Sequence, residues 1–159
     1  KTQKDKDGLW EALLDGRIDV IATDHAPHTL EEKSQKYVQA PSGGPLVQHA
    51  LNVMLENLKN KKISLEKIVE KMCHNPAKIF KIENRGFIKK GFYADLAIVN
   101  ANLPFTVSKE NILAKCGWSP FEGLTFKSSI THTILNGDLV YNDNKVNENP
   151  KGKRLLFNR

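Results

Sequence analysis

Residues 18–28 read IDVIATDHAPH, a short apolar run followed at once by polar, chemically active side chains. The run at 18–22 is rich in β-branched residues and predicts a short buried strand. Asp24, His25 and His28 come directly after it. Because catalytic residues of β/α barrels lie where the strands end, this order predicts a site at a strand terminus. An aspartate beside imidazoles suits metal ligation or general-base chemistry, and an aspartate that caps a turn beside two surface histidines explains the same spacing as well.

Helices are predicted on both sides of this strand. They cover residues 7–15, 45–59, 65–74 and 76–81, where apolar side chains recur at helical spacing. Gly16 is expected to end the first helix and Ser64 to cap the third. The Asn75-Pro76 pair is expected to break the chain between the third and fourth helices, because a residue before proline disfavours helical geometry.

The last part of the chain is predicted to be mostly β. The predicted strands are 94–99, 129–135 and 138–141, and a short helix is expected at 109–115. Asn136-Gly137 is the strongest two-residue hairpin signal in the sequence. One short strand at 18–22 cannot form a sheet by itself, so the first part of the chain is expected to be incomplete. Its opening residue, Lys1 rather than Met, indicates a chain that is processed, tagged or cut out of a longer one.

The composition is that of a globular domain. The chain has 159 residues, of which 40% are hydrophobic and 26% charged, and no run approaches the roughly 18 apolar residues that span a bilayer. The net charge of +6 comes from scattered lysines without a nucleic-acid-binding motif. We therefore expect neither a membrane nor a nucleic-acid partner. Cys73 and Cys116 stand alone, which excludes a cysteine zinc site within the chain.

Several strings together resemble the dihydroorotases of the amidohydrolase superfamily. They are ATDHAPH at 22–28, APSGG at 40–44, NPA at 75–77, GFYADLA at 91–97 and KCGWSPFEG at 115–123. The resemblance runs in family order from about residue 6 to the end of the chain. It implies the reversible interconversion of dihydroorotate and N-carbamoyl-aspartate in pyrimidine biosynthesis, by a cytoplasmic zinc enzyme.

The resemblance also implies an α/β fold, a (β/α)8 TIM-type barrel with a small β-sandwich. This chain resembles only the C-terminal portion. Residues 1–80 would carry the last barrel strand and its flanking helices, and residues 81–159 the C-terminal part of the sandwich. The missing N-terminal part of the barrel would be its partner. The apolar stripe at 46–58 is expected to pack on that part or to associate with a second copy, so a homo-oligomer stays open.

By resemblance, Asp24 is the last zinc ligand of a binuclear site and the acid/base residue. His28 would bind the carboxylate of the small-molecule substrate, and the peptide groups of Ser42 and Gly43 would bind its ring. Ser42 departs from the bulkier residue that the family pattern leads us to expect there. His25 is interpreted as structural. The other metal ligands of the family lie outside these 159 residues, so the chain alone is expected to be inactive.

Two other functions compete with this interpretation. The first is another cyclic amidohydrolase, such as a relative of allantoinase or dihydropyrimidinase. The second is a non-catalytic, dihydroorotase-like subunit that supports a partner enzyme. The remaining histidines, His49, His74 and His132, lie in a predicted helix, at a predicted helix end and in a predicted strand, and are interpreted as structural.

Overall fold

The computed structural model describes residues 2–147, 149 and 152–158. The helices are α1 (Gln3–Asp15), α2 (Leu30–Lys33), α3 (Ala50–Lys59), α4 (Leu65–Val69) and α5 (Asn75–Ile79). The strands are β1 (Leu96–Asn100), β2 (Phe105–Thr106), β3 (Thr125–Phe126), β4 (Ser129–Leu135), β5 (Asp138–Asn142) and β6 (Lys145–Val146). The outer limits of the expected division, Lys1 and Arg159, lie outside the described residues.

Helix α1 begins four residues earlier than the apolar pattern predicts. The side chain of Thr2 accepts a hydrogen bond from the backbone N–H of Asp5, and the carboxylate of Asp5 accepts one from the N–H of Thr2. This reciprocal capping box satisfies backbone donors that have no partner inside the helix. Gly16 ends the helix as predicted, with a left-handed φ of 97°.

The helices pack around a small apolar core. Its buried side chains are Leu13, Met54, Ile63 and Ile68, which come from α1, α3, the loop after α3, and α4. Leu51 and Leu58 of α3 pack against the same cluster. Part of the apolar stripe predicted for residues 46–58 is therefore covered within this chain, whereas Val47 is 59% exposed.

The strand predicted at 18–22 does not form in the structure. No strand in the described ranges pairs with it, and its backbone groups bond to helices instead. The N–H of Ile18 donates to the carbonyl of Ala12 (2.9 Å), and the N–H of Ile21 donates to the carbonyl of Lys71 (3.1 Å). The prediction was wrong for this chain because a strand exists only beside a second strand.

The helix break predicted at Asn75-Pro76 is also wrong. Helix α4 continues through one wide π turn, Glu70–His74, directly into α5. In this turn the N–H of Asn75 donates to the carbonyl of Glu70, five residues back. The wider turn lets the chain pass Pro76, which has no N–H to donate.

The C-terminal half is mostly β, as predicted, and its paired strands are antiparallel. Strands β1, β4, β5 and β6 form one sheet in the order β1-β4-β5-β6, and β2 pairs with β3 separately. Asn136 and Gly137 join β4 to β5 with positive φ angles of 55° and 92°, as the hairpin signal predicts. The helix predicted at 109–115 is reduced to a single 3-10 turn, Lys109–Asn111, because Asn111 turns its side chain onto the backbone of Thr106 and Ser108.

No helix of the described ranges has the length and apolar character that crossing a membrane requires.

Candidate active site

Three strings that lie far apart in the sequence meet in the structure. The N–H of Ala26 donates to the carbonyl of Gly44 (3.0 Å), and His25 and Gly44 form a parallel bridge. The indole N–H of Trp118 donates to the carbonyl of His28 (2.8 Å). The ATDHAPH, APSGG and KCGWSPFEG strings therefore form one surface rather than three separate loops.

Residues 18–21 are bonded to the π turn and to the start of α5, and Asp24 lies in the turn that joins this segment to the surface. Its φ is 45°, a left-handed conformation that aspartate tolerates better than most residues with a Cβ atom. The residue is exposed, and no hydrogen bond or ion pair within the described ranges engages its carboxylate. A carboxylate without a protein partner is free to bind a ligand or to move a proton.

His28 lies just before the short helix α2. Its Nδ1 atom is 3.7 Å from the carboxylate of Glu32. The same carboxylate accepts hydrogen bonds from the backbone N–H and the hydroxyl of Thr29, which lower the pKa of Glu32, and the charge of His28 acts in the same direction. Glu32 is therefore ionised and faces one ring nitrogen, which leaves Nε2 of His28 as the nitrogen that can face a substrate.

The loop with Ser42 and Gly43 is held from two sides. Gly43 has a φ of 91°, and a Cβ atom added there would lie 2.6 Å from the Cβ of Ala26. The Nζ of Lys33 donates to the carbonyls of Pro41 (2.7 Å) and Gly43 (3.0 Å). Ser42 is exposed. Lys33 engages the carbonyls of Pro41 and Gly43, and within the described ranges no hydrogen bond engages the N–H groups of Ser42 and Gly43.

Lys33 and Trp118 shape the site, and the sequence assigned neither a role. Lys33 anchors the loop of Gly43, and Trp118 reaches the backbone of His28. Trp118 stands within a string that was quoted for the resemblance, so a functional signal was present. Lys33 stands in a polar stretch of the sequence where nothing separates it from its neighbours.

The other histidines make structural contacts. The Nδ1 of His25 accepts a hydrogen bond from the N–H of Val47 (3.3 Å). His49 is 1% exposed among the rings of Phe105, Phe121 and Phe126, and burial lowers its pKa. His74 stacks on Phe87 with ring centroids 4.3 Å apart, and the Nδ1 of His132 lies 2.9 Å from the hydroxyl of Thr131. These contacts support the structural interpretation of all four.

Neither cysteine is paired. Cys73 is exposed and Cys116 half-buried, and both are free thiols. Partial desolvation raises the pKa of Cys73, which favours the protonated thiol at neutral pH.

The residues present fit a single metal-ligand position and not a complete zinc site. Asp24 offers one carboxylate. Across residues 2–147, 149 and 152–158, no group of three or more His, Cys, Asp or Glu side chains could hold a metal ion. Zinc sites in proteins use three or four protein ligands, so Asp24 cannot hold the ion alone.

Comparison with known proteins identifies the relatives of this chain. The model of the "Amidohydrolase family" matches residues 1–140. A dihydroorotase of Pyrococcus furiosus is 36% identical over 156 residues, which is 98% of this chain and 36% of that protein. A dihydroorotase of Clostridioides difficile is 41% identical over 143 residues, 89% of this chain and 33% of that protein.

Among solved structures, an L-hydantoinase (dihydropyrimidinase) from Arthrobacter aurescens superimposes with a TM-score of 0.83 and 31% identity. The match covers 91% of this chain and 33% of that structure. The chain thus spans about a third of the length of the relatives it matches.

Proposed function

Because the chain belongs to the amidohydrolase family, we propose that the protein is a cyclic amidohydrolase with dihydroorotase activity. It would open and close the ring that links dihydroorotate and N-carbamoyl-aspartate, in cytoplasmic pyrimidine biosynthesis. The observation that carries this proposal is the similarity to curated dihydroorotases over almost the whole chain.

We propose the same division of the fold that the sequence indicated. Residues 1–80 contribute the last strand and helices of a (β/α)8 barrel, and residues 81–159 contribute part of a β-sandwich. The similarity to an L-hydantoinase of three times the length supports a larger fold of which this chain is one part. In that arrangement residues 18–22 gain neighbouring strands from the rest of the protein, which would be the partner that this chain needs.

Asp24 is the proposed acid/base residue and the one zinc ligand that these residues supply. The other ligands of a binuclear zinc site would come from the rest of the protein, so the 159 residues alone are expected to show no turnover. During ring opening, water adds to the amide carbon and the bond from that carbon to the ring nitrogen breaks. Asp24 takes a proton from the attacking water and delivers it to the leaving nitrogen. Its exposed and uncommitted carboxylate suits this transfer.

His28, Ser42 and Gly43 are the proposed substrate-binding residues. The Nε2 of His28 would bind the substrate carboxylate, since its Nδ1 faces Glu32. The backbone N–H groups of Ser42 and Gly43 would bind the oxygen atoms of the ring.

A hydantoinase-type activity is the second candidate, and the match to an L-hydantoinase favours it. The two candidates differ at His28, because dihydroorotate carries a carboxylate whereas dihydrouracil and hydantoin do not. The experiment compares dihydroorotate with dihydrouracil as substrates of the full-length protein and of its His28→Ala variant, with zinc content measured in each.

Dihydroorotase activity predicts that His28→Ala raises KM for dihydroorotate about tenfold or more, the usual loss for a charge-assisted hydrogen bond, and leaves zinc bound. Loss of zinc in step with activity would make His28 a metal ligand instead. A wild-type preference for dihydrouracil would favour the second candidate. Asn57→Ala, which removes a hydrogen bond inside α3, serves as the control.

A further inference from the structure

The segment that leads to Asp24 is bound by one turn of helix. Three hydrogen bonds join residues 18–21 to the π turn and to the start of α5. The Nζ of Lys71 donates to the carbonyl of Ile18 (2.6 Å), and the Nδ2 of Asn75 donates to the carbonyl of Asp19 (2.9 Å). The carbonyl of Lys71 accepts the N–H of Ile21 (3.1 Å).

Pro76 explains why the Lys71 carbonyl is free to accept this bond. In an α-helix that carbonyl would accept the N–H of Asn75, but Asn75 donates to Glu70 instead. In a continued π turn it would accept the N–H of residue 76, and proline has none. The wide turn and Pro76 together leave one helix carbonyl unused, and Ile21 takes it.

Lys71 is an unusual choice for a purely structural contact. Its side chain is 1% exposed, and burying an ammonium group is costly unless partners surround it. Here the Ile18 carbonyl and the Glu70 carboxylate, 3.5 Å away, are those partners. The same Glu70 oxygen lies 3.5 Å from the Nδ2 of Asn75, so Glu70 orients both donors.

We propose that Lys71, Asn75 and Pro76 are positioning residues for Asp24. They fix the backbone of residues 18–21 from the helix side, three residues before the left-handed turn at Asp24. A carboxylate that must reach both the attacking water and the leaving nitrogen requires a fixed direction, and a misplacement of about 1 Å can cost about a hundredfold in rate. This inference rests on the proposed acid/base role of Asp24.

Matched variants of the full-length protein test the proposal. Lys71→Met, Asn75→Ala and Pro76→Ala each remove part of the contact. Lys59→Met and Asn57→Ala are the controls: Lys59 also donates Nζ to a distant carbonyl, that of Lys127 (3.1 Å), and Asn57 also donates Nδ2 to a backbone carbonyl (2.8 Å).

We expect the three test variants to lower kcat for dihydroorotate about tenfold or more, with KM changed less than about twofold. The two controls should retain kcat within about twofold. Pro76→Ala is the sharpest variant, because it supplies an N–H that competes for helix carbonyls and should raise helix stability. If Pro76 has no positioning role, the variant should be at least as stable as the wild type and fully active, whereas positioning predicts a variant that is stable and slow.

Hydrogen exchange provides a readout that does not depend on activity. The amide of Ile21, which donates to the Lys71 carbonyl, should exchange about three- to tenfold faster in Pro76→Ala than in the wild type, the change expected for the loss of one hydrogen bond. Unchanged exchange at the Ile21 amide would overturn the positioning proposal even if the protein proved to have another activity.

Asp24→Ala separates the two failures. If Asp24→Ala is inactive while the three test variants match the controls, positioning is wrong and the proposed function stands. If Asp24→Ala keeps its activity, the proposed acid/base role of Asp24 is wrong, and the positioning proposal that rests on it is overturned as well.

Discussion

Gly43 is the position where the proposed substrate loop is most sensitive to a single added carbon. Replacing it with alanine has two separable costs. The backbone has a φ of 91°, which residues with a Cβ atom rarely adopt, and the new Cβ would lie 2.6 Å from the Cβ of Ala26. A contact that short requires either the loop or the ATDHAPH segment to move.

Gly91 provides a matched control for the backbone cost. Its φ is 88°, and a Cβ atom added there meets nothing within 4 Å. Gly91→Ala should therefore cost about 1–2 kcal/mol, the penalty for a left-handed residue with a side chain. Gly43→Ala should cost the same plus about 1–3 kcal/mol for overpacking.

A double-mutant cycle isolates the contact. Combining Gly43→Ala with Ala26→Gly removes the opposing Cβ, so the double variant should recover most of the extra destabilisation of about 1–3 kcal/mol. Urea unfolding measures the free energy of unfolding of each variant. In the full-length protein, the KM for dihydroorotate measures whether the loop of Gly43 still binds the substrate. Equal destabilisation by Gly43→Ala and Gly91→Ala, with no coupling to Ala26, would refute the close approach of the two segments.

Two further predictions concern stability away from the loop. Burial lowers the pKa of His49, so between its unfolded value of about 6.5 and its folded value the unfolded chain binds more protons. Stability should therefore fall as the pH drops below about 6.5, and urea unfolding at several pH values should show a shallower fall for His49→Phe. Arg85 is 8% exposed and pairs with Asp95 and Asn136, so Arg85→Met should cost about 2–4 kcal/mol in thermal unfolding. Arg17→Met removes only an exposed pair and should cost less than about 1 kcal/mol; a similar loss for both would contradict the buried role of Arg85.

Local signals in the sequence predict local structure well. The hairpin at Asn136-Gly137 depends on two residues that tolerate positive φ, and both adopt it. Ser64 caps α4 as predicted, because its hydroxyl is within reach of the N–H of Lys67. In each case the residues that decide the structure are neighbours in the chain, so no knowledge of the tertiary fold is needed.

Predictions that depend on distant partners were less successful. The run at 18–22 has the composition of a strand, but strand formation depends on a second strand that the described residues do not provide. The continuation of the helix through Pro76 depends on the hydrogen bond from the N–H of Ile21 to the carbonyl of Lys71, and the two residues are 50 positions apart in the chain. The rule that proline ends a helix describes the local cost, and the tertiary contact offsets it.

Contacts between the three strings explain why several of their residues are small. Ala26 and Gly43 belong to different strings, yet each limits the size of the other, since one added carbon at Gly43 would collide with Ala26. Gly44 is buried, and a Cβ atom there would lie 3.7 Å from the ring of Trp118 in the third string. These small residues form one packing unit, whereas Ser42, the one departure from the family pattern noted in this loop, is exposed. A change of side chain at Ser42 therefore leaves the packing of the three strings intact, and its effect is confined to what approaches the loop from outside.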